Sequence, residues 1–257
     1  MNWNVAVYEQ FASERARPFL DLVGRIPDGP VRSVVDLGCG TGEMTRLLVE
    51  RWPEAVVLGV DSSPEMLAAA RPRAIPGRLH FEPGDAGRFQ PAAPVDVLIS
   101  NATLHWLPDH ERLIPRLAGC VGRGGTLAIQ MPGNFDAPSH TLMRAVAADG
   151  PWAQALAAVL RPDPVQPLAF YAETLLGLGF SVDAWETTYL HVLHGADPVL
   201  AWVRGTALRP VLGALGPDQA AAFVARYAER LRAAYPAGPA GTLFPFRRVF
   251  FVARRTS

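Results

Sequence analysis

The chain has no lysine. All 24 of its basic residues are arginine, balanced by 24 acidic ones, so the formal net charge is zero. No side chain can form the Schiff base of a pyridoxal-phosphate enzyme. A Walker A loop would lack its lysine, and dehydrogenases built on a Tyr-x-x-x-Lys pair are excluded. Without an excess of positive charge there is no basic stripe for nucleic acid. Cysteine is scarce: Cys39 and Cys120 lie far apart with no metal spacing, which favours a reduced, cytoplasmic protein. No apolar run reaches about 18 residues, so no segment is expected to span a membrane. The start, Met1-Asn2-Trp3-Asn4, does not read as a secretory signal. Apolar side chains are plentiful, at 49% of 257 residues, enough for one large domain or a domain with an inserted cap.

The most informative stretch is Val34-Val35-Asp36-Leu37-Gly38-Cys39-Gly40-Thr41-Gly42. A β-branched run ends in an acid, and glycines follow at alternate positions. That pattern predicts a strand, a turn stripped of side chains, and the start of a helix. A dinucleotide fingerprint would read G-x-G-x-x-G. Here the third glycine comes one residue early, and Glu43 sits where a small residue is wanted. A carboxylate on the first helical turn would repel a pyrophosphate at that helix N-terminus. A ligand without phosphate and with net positive charge would tolerate Glu43 and welcome Asp36. S-adenosyl-L-methionine, with a sulfonium and an ammonium, is such a ligand.

Strands are predicted at 33–37, 55–60, 79–82, 95–100, 126–131, about 180–191 and about 246–254. Between the first five lie helical patterns, including 43–51, a helix capped by Ser63-Pro64, and one capped by Asp109. Short apolar strands alternating with helices argue an α/β, Rossmann-like, doubly wound and mostly parallel seven-stranded sheet. The expected core is 30–132, 179–192 and 241–257. A helical cap is expected at 133–178 and 193–240, and an N-terminal helix at 5–26, broken near Pro18.

In such sheets ligands sit beyond the carboxyl ends of the strands, at the switch point. Candidate cofactor residues are therefore Asp36, Gly38, Gly40, Gly42, Asp61, Ser62, Met66, Asp85, Ala86 and Asn101. Asp61, 19 residues after Gly42, can accept both ribose hydroxyls or cap a helix. Met66 can cover an adenine face or pack in the core. Asp85 can accept from the adenine amine, with Ala86 giving a backbone N–H, or serve a turn. His105 reads as a base or as a loop residue lending a hydrogen bond. His191 and His194 lack a third ligand, so no metal is expected. Ser139-His140 has no G-x-S-x-G elbow around it and is better explained by a helix N-cap serine. Guanidinium groups pair with carboxylates, so Arg209, Arg247 and Arg248 are candidate clamps for a small anionic substrate. Tyr8, Tyr171 and Trp202 are lesser wall candidates. No protein partner is evident.

The motif D-x-G-x-G-x-G resembles the first motif of the class I S-adenosylmethionine-dependent methyltransferases. Beyond it, the chain resembles their trans-aconitate methyltransferase family over nearly its whole length. The resemblance rests on Arg51-Trp52-Pro53, Asp61-Ser62-Ser63-Pro64 and Trp106-Leu107-Pro108-Asp109-His110. It continues in Gln130-Met131-Pro132, His140 with Leu142-Met143-Arg144, Trp185 with Thr187-Thr188-Tyr189, Leu208-Arg209-Pro210 and Val252-Ala253-Arg254-Arg255. The resemblance implies methyl transfer from S-adenosylmethionine to a carboxylate of trans-aconitate, giving a mono-methyl ester. It also implies a cytoplasmic housekeeping role. His105 stands where relatives can have glutamine, which argues against an essential base there. A carboxylate acceptor needs no catalytic residue of that kind. A non-catalytic cofactor-binding protein is disfavoured by the intact acid and glycine set.

Overall fold

The computed structural model describes residues 12–160 and 163–256. Tyr8 and the first seven residues of the expected N-terminal helix lie outside them. The chain forms two compact units. Of the described residues, the first takes in those up to Pro132, then Pro164–Thr187, then those from Arg248; the second comprises those within Gly133–Asp163 and Thr188–Arg247.

The first unit opens with helix α1 (Ala12–Val23), then β1 (Ser33–Leu37), α2 (Glu43–Arg51), β2 (Val56–Asp61), α3 (Pro64–Ala70) and β3 (Leu79–Pro83). It continues with β4 (Val95–Asn101), α4 (His110–Gly119) and β5 (Val121–Pro132). Helices α5 (Pro138–Ala148) and α6 (Ala153–Leu156) belong to the second unit, and α7 (Leu168–Gly177) returns to the first. The remainder is β6 (Phe180–Leu193), α8 (Pro198–Arg204), α9 (Arg209–Gly213), α10 (Pro217–Ala234), β7 (Ala237–Gly238) and β8 (Gly241–Arg255). Strands β6 and β8 each begin in one unit and end in the other.

The sheet runs β3-β2-β1-β4-β5-β8-β6, with the two-residue β7 beside β8. Strands β1 to β5 are parallel, and β8 joins β5 antiparallel. From β1 the chain winds outward to β2 and β3, then crosses to the other side of β1 for β4. Alternate strand residues face opposite ways. Val35 and Leu37 enter a core with Leu113, Ile114 and Leu117 of α4 and Leu175 of α7. Asp36, one position on, meets Thr45 of α2 on the other face. Helices therefore cover both faces, which is the doubly wound arrangement.

Local signals place several elements correctly, since 33–37 and 43–51 are observed as expected. Four differences have physical causes. Helix α1 runs through Pro18, which is buried, so packing outweighs one missing N–H. Strand β5 starts at Val121, before Gly124-Gly125, because the left-handed Gly124 (φ 71°) absorbs a register shift against β4 instead of ending the strand. Helix α7, expected in the cap, belongs to the first unit. Its Tyr171 ring lies 5.0 Å from Phe251, stacked at 20°, and its hydroxyl is 2.7 Å from His110 Nδ1. Ser139 is not an N-cap: Ala137 takes that place, Pro138 is the first helical residue, and Ser139 is buried.

Tyr171, fully buried, is thus a core residue and not a substrate wall. His110 Nε2 lies 3.0 Å from Leu104 O, an acceptor, so Nε2 carries the proton. Nδ1 must then accept from the Tyr171 hydroxyl, which itself accepts from Gln166 N–H at 2.9 Å. This buried relay pins the turn after β4 to α4 and α7.

In the second unit α5 packs on α10. Tyr227 Oη donates to Ser139 O, and Ser139 N–H donates to Tyr235 Oη at 3.0 Å. Trp152 meets Phe223 edge-on at 5.2 Å. A second aromatic group gathers His191, Trp202, Phe244 and Phe246. Among the described residues no helix is long and apolar enough to cross a membrane.

Tyr171→Phe removes one donor and one acceptor at once, stranding His110 Nδ1 and the Gln166 N–H. The expected cost is about 1–3 kcal/mol in urea unfolding, with the fold retained by circular dichroism. An unchanged midpoint would show that the relay carries no net stability.

Candidate active site

The carboxyl ends of β1, β2 and β4 meet at the switch point of the first unit. The turn after β1 hangs on β2: the Gly38 and Cys39 N–H groups both donate to Val60 O, at 2.7 and 3.1 Å. Gly38 has φ 79°, and a Cβ there would lie 1.9 Å from Thr103 Oγ1. Only a glycine lets the loop after β4 come so close. Gly40 also has positive φ, at 56°, but a Cβ there would meet nothing within 4 Å. That part of the turn faces open space. Gly42 caps α2 without a side-chain bond, and Glu43 is exposed on the first turn.

Asp61 is the hub. Its Oδ2 accepts from Gly40 N–H at 2.9 Å and its Oδ1 from Ser63 N–H at 2.8 Å. Helix α3 is capped by Ser63 Oγ, which accepts from Met66 N–H at 3.3 Å. Asp61 is therefore not the cap. A carboxylate oxygen has two acceptor positions, so each oxygen keeps one for a ligand hydroxyl. Ser62 beside it is exposed.

Asp36 is 3% exposed and accepts from Thr45 Oγ1 at 2.7 Å. Burial pushes its carboxyl up to about 7; the Thr45 bond pulls the other way, and the Asp61 charge adds to the rise. The Cys39 thiol is pushed far up by burial and by both acids, so it is no nucleophile.

The loop after β4 is strained: Ala102 has φ 54°, rare for a residue with a Cβ. Its N–H donates to Gln130 O at 2.9 Å. Asn101 and Gln130 are partners across β4 and β5. Among the described residues Asn101 Oδ1 and Gln130 Nε2, both buried, have no hydrogen-bond partner, while Gln130 Oε1 accepts from Arg248 Nη1 at 3.4 Å. His105 and Trp106 follow on a 3-10 turn, their rings 4.8 Å apart.

One candidate changes role, and another gains a structural partner. Met66 is 3% exposed, so it packs in the core rather than covering a ligand face. Asp85 stands two residues beyond the end of β3, exposed, with Oδ1 accepting from Gly87 N–H at 2.7 Å. It closes a turn and keeps acceptor capacity, while Ala86 beside it is buried.

The arginine candidates divide. Arg248 lies in the first unit, 4% exposed, and Arg247 in the second, exposed. They stand mid-strand on opposite faces of β8. Arg247 Nε donates to Gly133 O at 2.5 Å. Arg209, half-buried, begins α9. Trp202 is 2% exposed and 4.9 Å from the His191 ring, which makes it a core aromatic of the second unit rather than a wall. Among the described residues no three His, Cys, Asp or Glu side chains form a metal-binding group. The sequence reading missed Thr45, Thr103, Gln130 and Asn134. None carries a local signal, since each acquires its position from a partner strand or helix.

The arrangement fits a cationic, phosphate-free nucleoside ligand. An acid with two spare acceptor positions faces a glycine-rich turn whose Cys39 and Thr41 side chains are buried, an amide oxygen without a partner among the described residues waits at β4, and a carboxylate sits on the helix turn where phosphate would go. A methyltransferase-domain family profile matches residues 34–125. The chain is 52% identical to the trans-aconitate 2-methyltransferase of Streptomyces avermitilis, covering 99% of this chain and 97% of that one. It is 53% identical to the enzyme of the same name from Streptomyces coelicolor, covering 98% and 86%. Its fold is similar to Haemonchus contortus phosphoethanolamine N-methyltransferase 2, solved in complex with S-adenosyl-L-methionine. There the TM-score is 0.55 and identity 17%, covering 94% of this chain and 53% of that one.

Gly38→Ala and Gly40→Ala separate packing from strain. Both pay roughly 1–2 kcal/mol for a left-handed alanine. Gly38→Ala also collides with Thr103, adding about 1–3 kcal/mol of overpacking. Chemical denaturation should rank it clearly below Gly40→Ala; equal losses would refute the close approach.

Asp36 sets a pH dependence. Its folded value lies above its ordinary one, so the folded state holds the proton longer than the unfolded chain does. Stability therefore falls as pH rises from about 4 to about 7 and levels off above. Asp36→Asn keeps an acceptor for Thr45 and removes that slope. The variant should gain on the wild type across this window, by on the order of 4 kcal/mol at pH 8. Parallel pH–stability curves would show that Asp36 is not a buried acid.

Proposed function

The chain belongs to the trans-aconitate 2-methyltransferase family, and from that membership we propose that it methylates one carboxylate of trans-aconitate. The products are the mono-methyl ester and S-adenosylhomocysteine, and the site of action is the cytoplasm. S-adenosyl-L-methionine is the methyl donor of this S-adenosylmethionine-dependent family. The observation that carries the substrate is the extent of the identity. The family profile covers only residues 34–125, whereas the 52% identity extends over 99% of the chain and so through both units.

In this reading Asp61 takes the ribose hydroxyls of the donor, and Gly38, Gly40 and Gly42 let it lie against the backbone. Asn101 Oδ1 accepts from its ammonium, and the donor's positive charge favours the ionised form of Asp36 behind the turn. Asp85 and Ala86 serve the adenine, with Ser62 at the rim. When bound, the donor supplies an activated methyl group and a neutral thioether leaving group. Arg209 and one of Arg247 and Arg248, which face opposite ways from β8, hold carboxylates of the small acid substrate.

The acceptor decides what the protein must do. A carboxyl group has a reference pKa near 4, so at neutral pH it is already a nucleophile. No proton has to be removed. Positioning of the two reactants can supply roughly 7–11 kcal/mol. The titratable groups support a site without a base. Both His110 nitrogens are engaged, and burial lowers its affinity for a proton. Both thiols are held up by burial.

Purified protein with labelled methyl donor and a panel of di- and tricarboxylic acids tests this directly. Trans-aconitate should be the best acceptor. Saturated single-turnover rates should vary less than about twofold between about pH 6.5 and 8.5, well above the carboxyl value. His105→Gln and His191→Asn should keep turnover at saturating substrate. Methylation of another acid in preference would move the assignment within the fold. A steep rise through the histidine range, abolished by one of these changes, would reveal a base and point to a hydroxyl or amine acceptor.

A further inference from the structure

The loop leaving β5 carries an amide with nothing to hold. Asn134, in the second unit, is 4% exposed, and among the described residues neither Oδ1 nor Nδ2 has a hydrogen-bond partner. Each group buried in that condition costs free energy comparable to a lost hydrogen bond. Native folds rarely leave such atoms without a reason.

Its surroundings are basic. Both chain neighbours are tied by guanidinium groups: Arg247 Nε donates to Gly133 O at 2.5 Å, and Arg144 Nη2 donates to Phe135 O at 2.9 Å. The Gly133–Phe135 turn is thus held from both sides by cations. Among the described residues Arg144 has no carboxylate within ion-pair distance, and its other N–H groups have no hydrogen-bond acceptor. Its charge reaches His140, which is pushed down to about 4, by burial first and by Arg144 second. His140 is therefore neutral at working pH. Its ring lies 5.2 Å from Phe135, and its Nδ1 is 3.3 Å from Ser139 Oγ.

Resting on the reading of this chain as a methyltransferase of a polycarboxylate, we propose that Asn134 and Arg144 form a subsite for a substrate carboxylate that is not methylated. The subsite sets the preference for tricarboxylates over simpler acids. A hydrated carboxylate meets the needs of both residues. Its oxygens accept from Asn134 Nδ2 and from the remaining Arg144 N–H groups, and a water of its shell donates to Asn134 Oδ1. Charge-assisted bonds of this kind are about twice as strong as neutral ones. The amide adds selectivity, because a ligand without an acceptor leaves it stranded.

The test is a calorimetric titration of the full-length protein, loaded with S-adenosylhomocysteine, using propane-1,2,3-tricarboxylate as the probe. KM and kcat for trans-aconitate are measured alongside. Arg144→Gln should weaken probe binding by about 10-fold or more, and raise KM by a similar factor. Affinity for S-adenosylhomocysteine should be unchanged, and Arg144→Lys should restore part of the loss. Asn134→Leu separates a subsite from a packing defect. An idle buried amide replaced by leucine would leave KM alone and raise thermal stability, which would overturn the proposal; a raised KM in a folded protein supports it. Undiminished probe binding in both variants also overturns it, even where trans-aconitate is methylated. Inorganic phosphate binding as tightly as the probe, and lost in Arg144→Gln, would overturn the carboxylate assignment. Should the wild type methylate another acid of the panel but not trans-aconitate, the substrate reading fails. Probe binding that still depends on Asn134 and Arg144 would then keep the subsite.

Discussion

The bond from Gly40 N–H to the Asp61 carboxylate organises the first unit's site. Parallel pairing of β1 with β2 sets Leu37 beside Val60, so the two strands end together. The turn after β1 then needs a partner at the end of β2. It finds two: the Val60 carbonyl takes the Gly38 and Cys39 N–H groups, and Asp61 takes Gly40. The other Asp61 oxygen takes Ser63 N–H, which fixes where α3 begins. One acid thereby sets two loops, and because it is itself held it faces a ligand in a defined orientation. Thr103 completes the lock by filling the space beside Gly38, which anchors the β4 loop to the same turn.

The two units carry opposite chemical character. In the first, buried Asp36 and half-buried Asp61 lie behind the turn; burial pushes the Asp36 carboxyl up to about 7, and the Asp61 charge adds to the rise. In the second, Arg144 and Arg247 converge on one turn through the carbonyls that flank Asn134. Burial makes the Asp36 charge count for more, because charges interact more strongly away from water. The same burial costs stability, and Asp36 is the clearest case.

A carboxylate acceptor also explains how the remaining titratable groups are used. His110 spends both nitrogens holding the turn after β4 in place, with Tyr171 and Leu104 as partners. Its role is mechanical. The strained Ala102 belongs to the same loop, and strain of that kind persists only where surrounding contacts over-determine it.

How much of this was legible depends on the range of the interaction responsible. The strand at 33–37, the helix at 43–51 and the Ser63 cap follow from β-branched runs, glycine, proline and a hydroxyl within a few residues of each other. Asp36, Gly38, Gly40, Gly42 and Asp61 were recognisable because the turn they build is local apart from one parallel pairing. The alternation of strands and helices likewise determined the doubly wound class. Tertiary structure decided burial. Met66, Tyr171 and Trp202 read as possible ligand contacts, and packing made each of them core. Helix α7 joined the first unit because Tyr171 meets His110, 61 positions away. The Asn134 turn is shaped in part by Arg247, 114 positions from its partner Gly133. Backbone conformation is set largely by neighbours in the chain, so sequence reveals it. Which face of a side chain stays open is set by residues that only folding brings near.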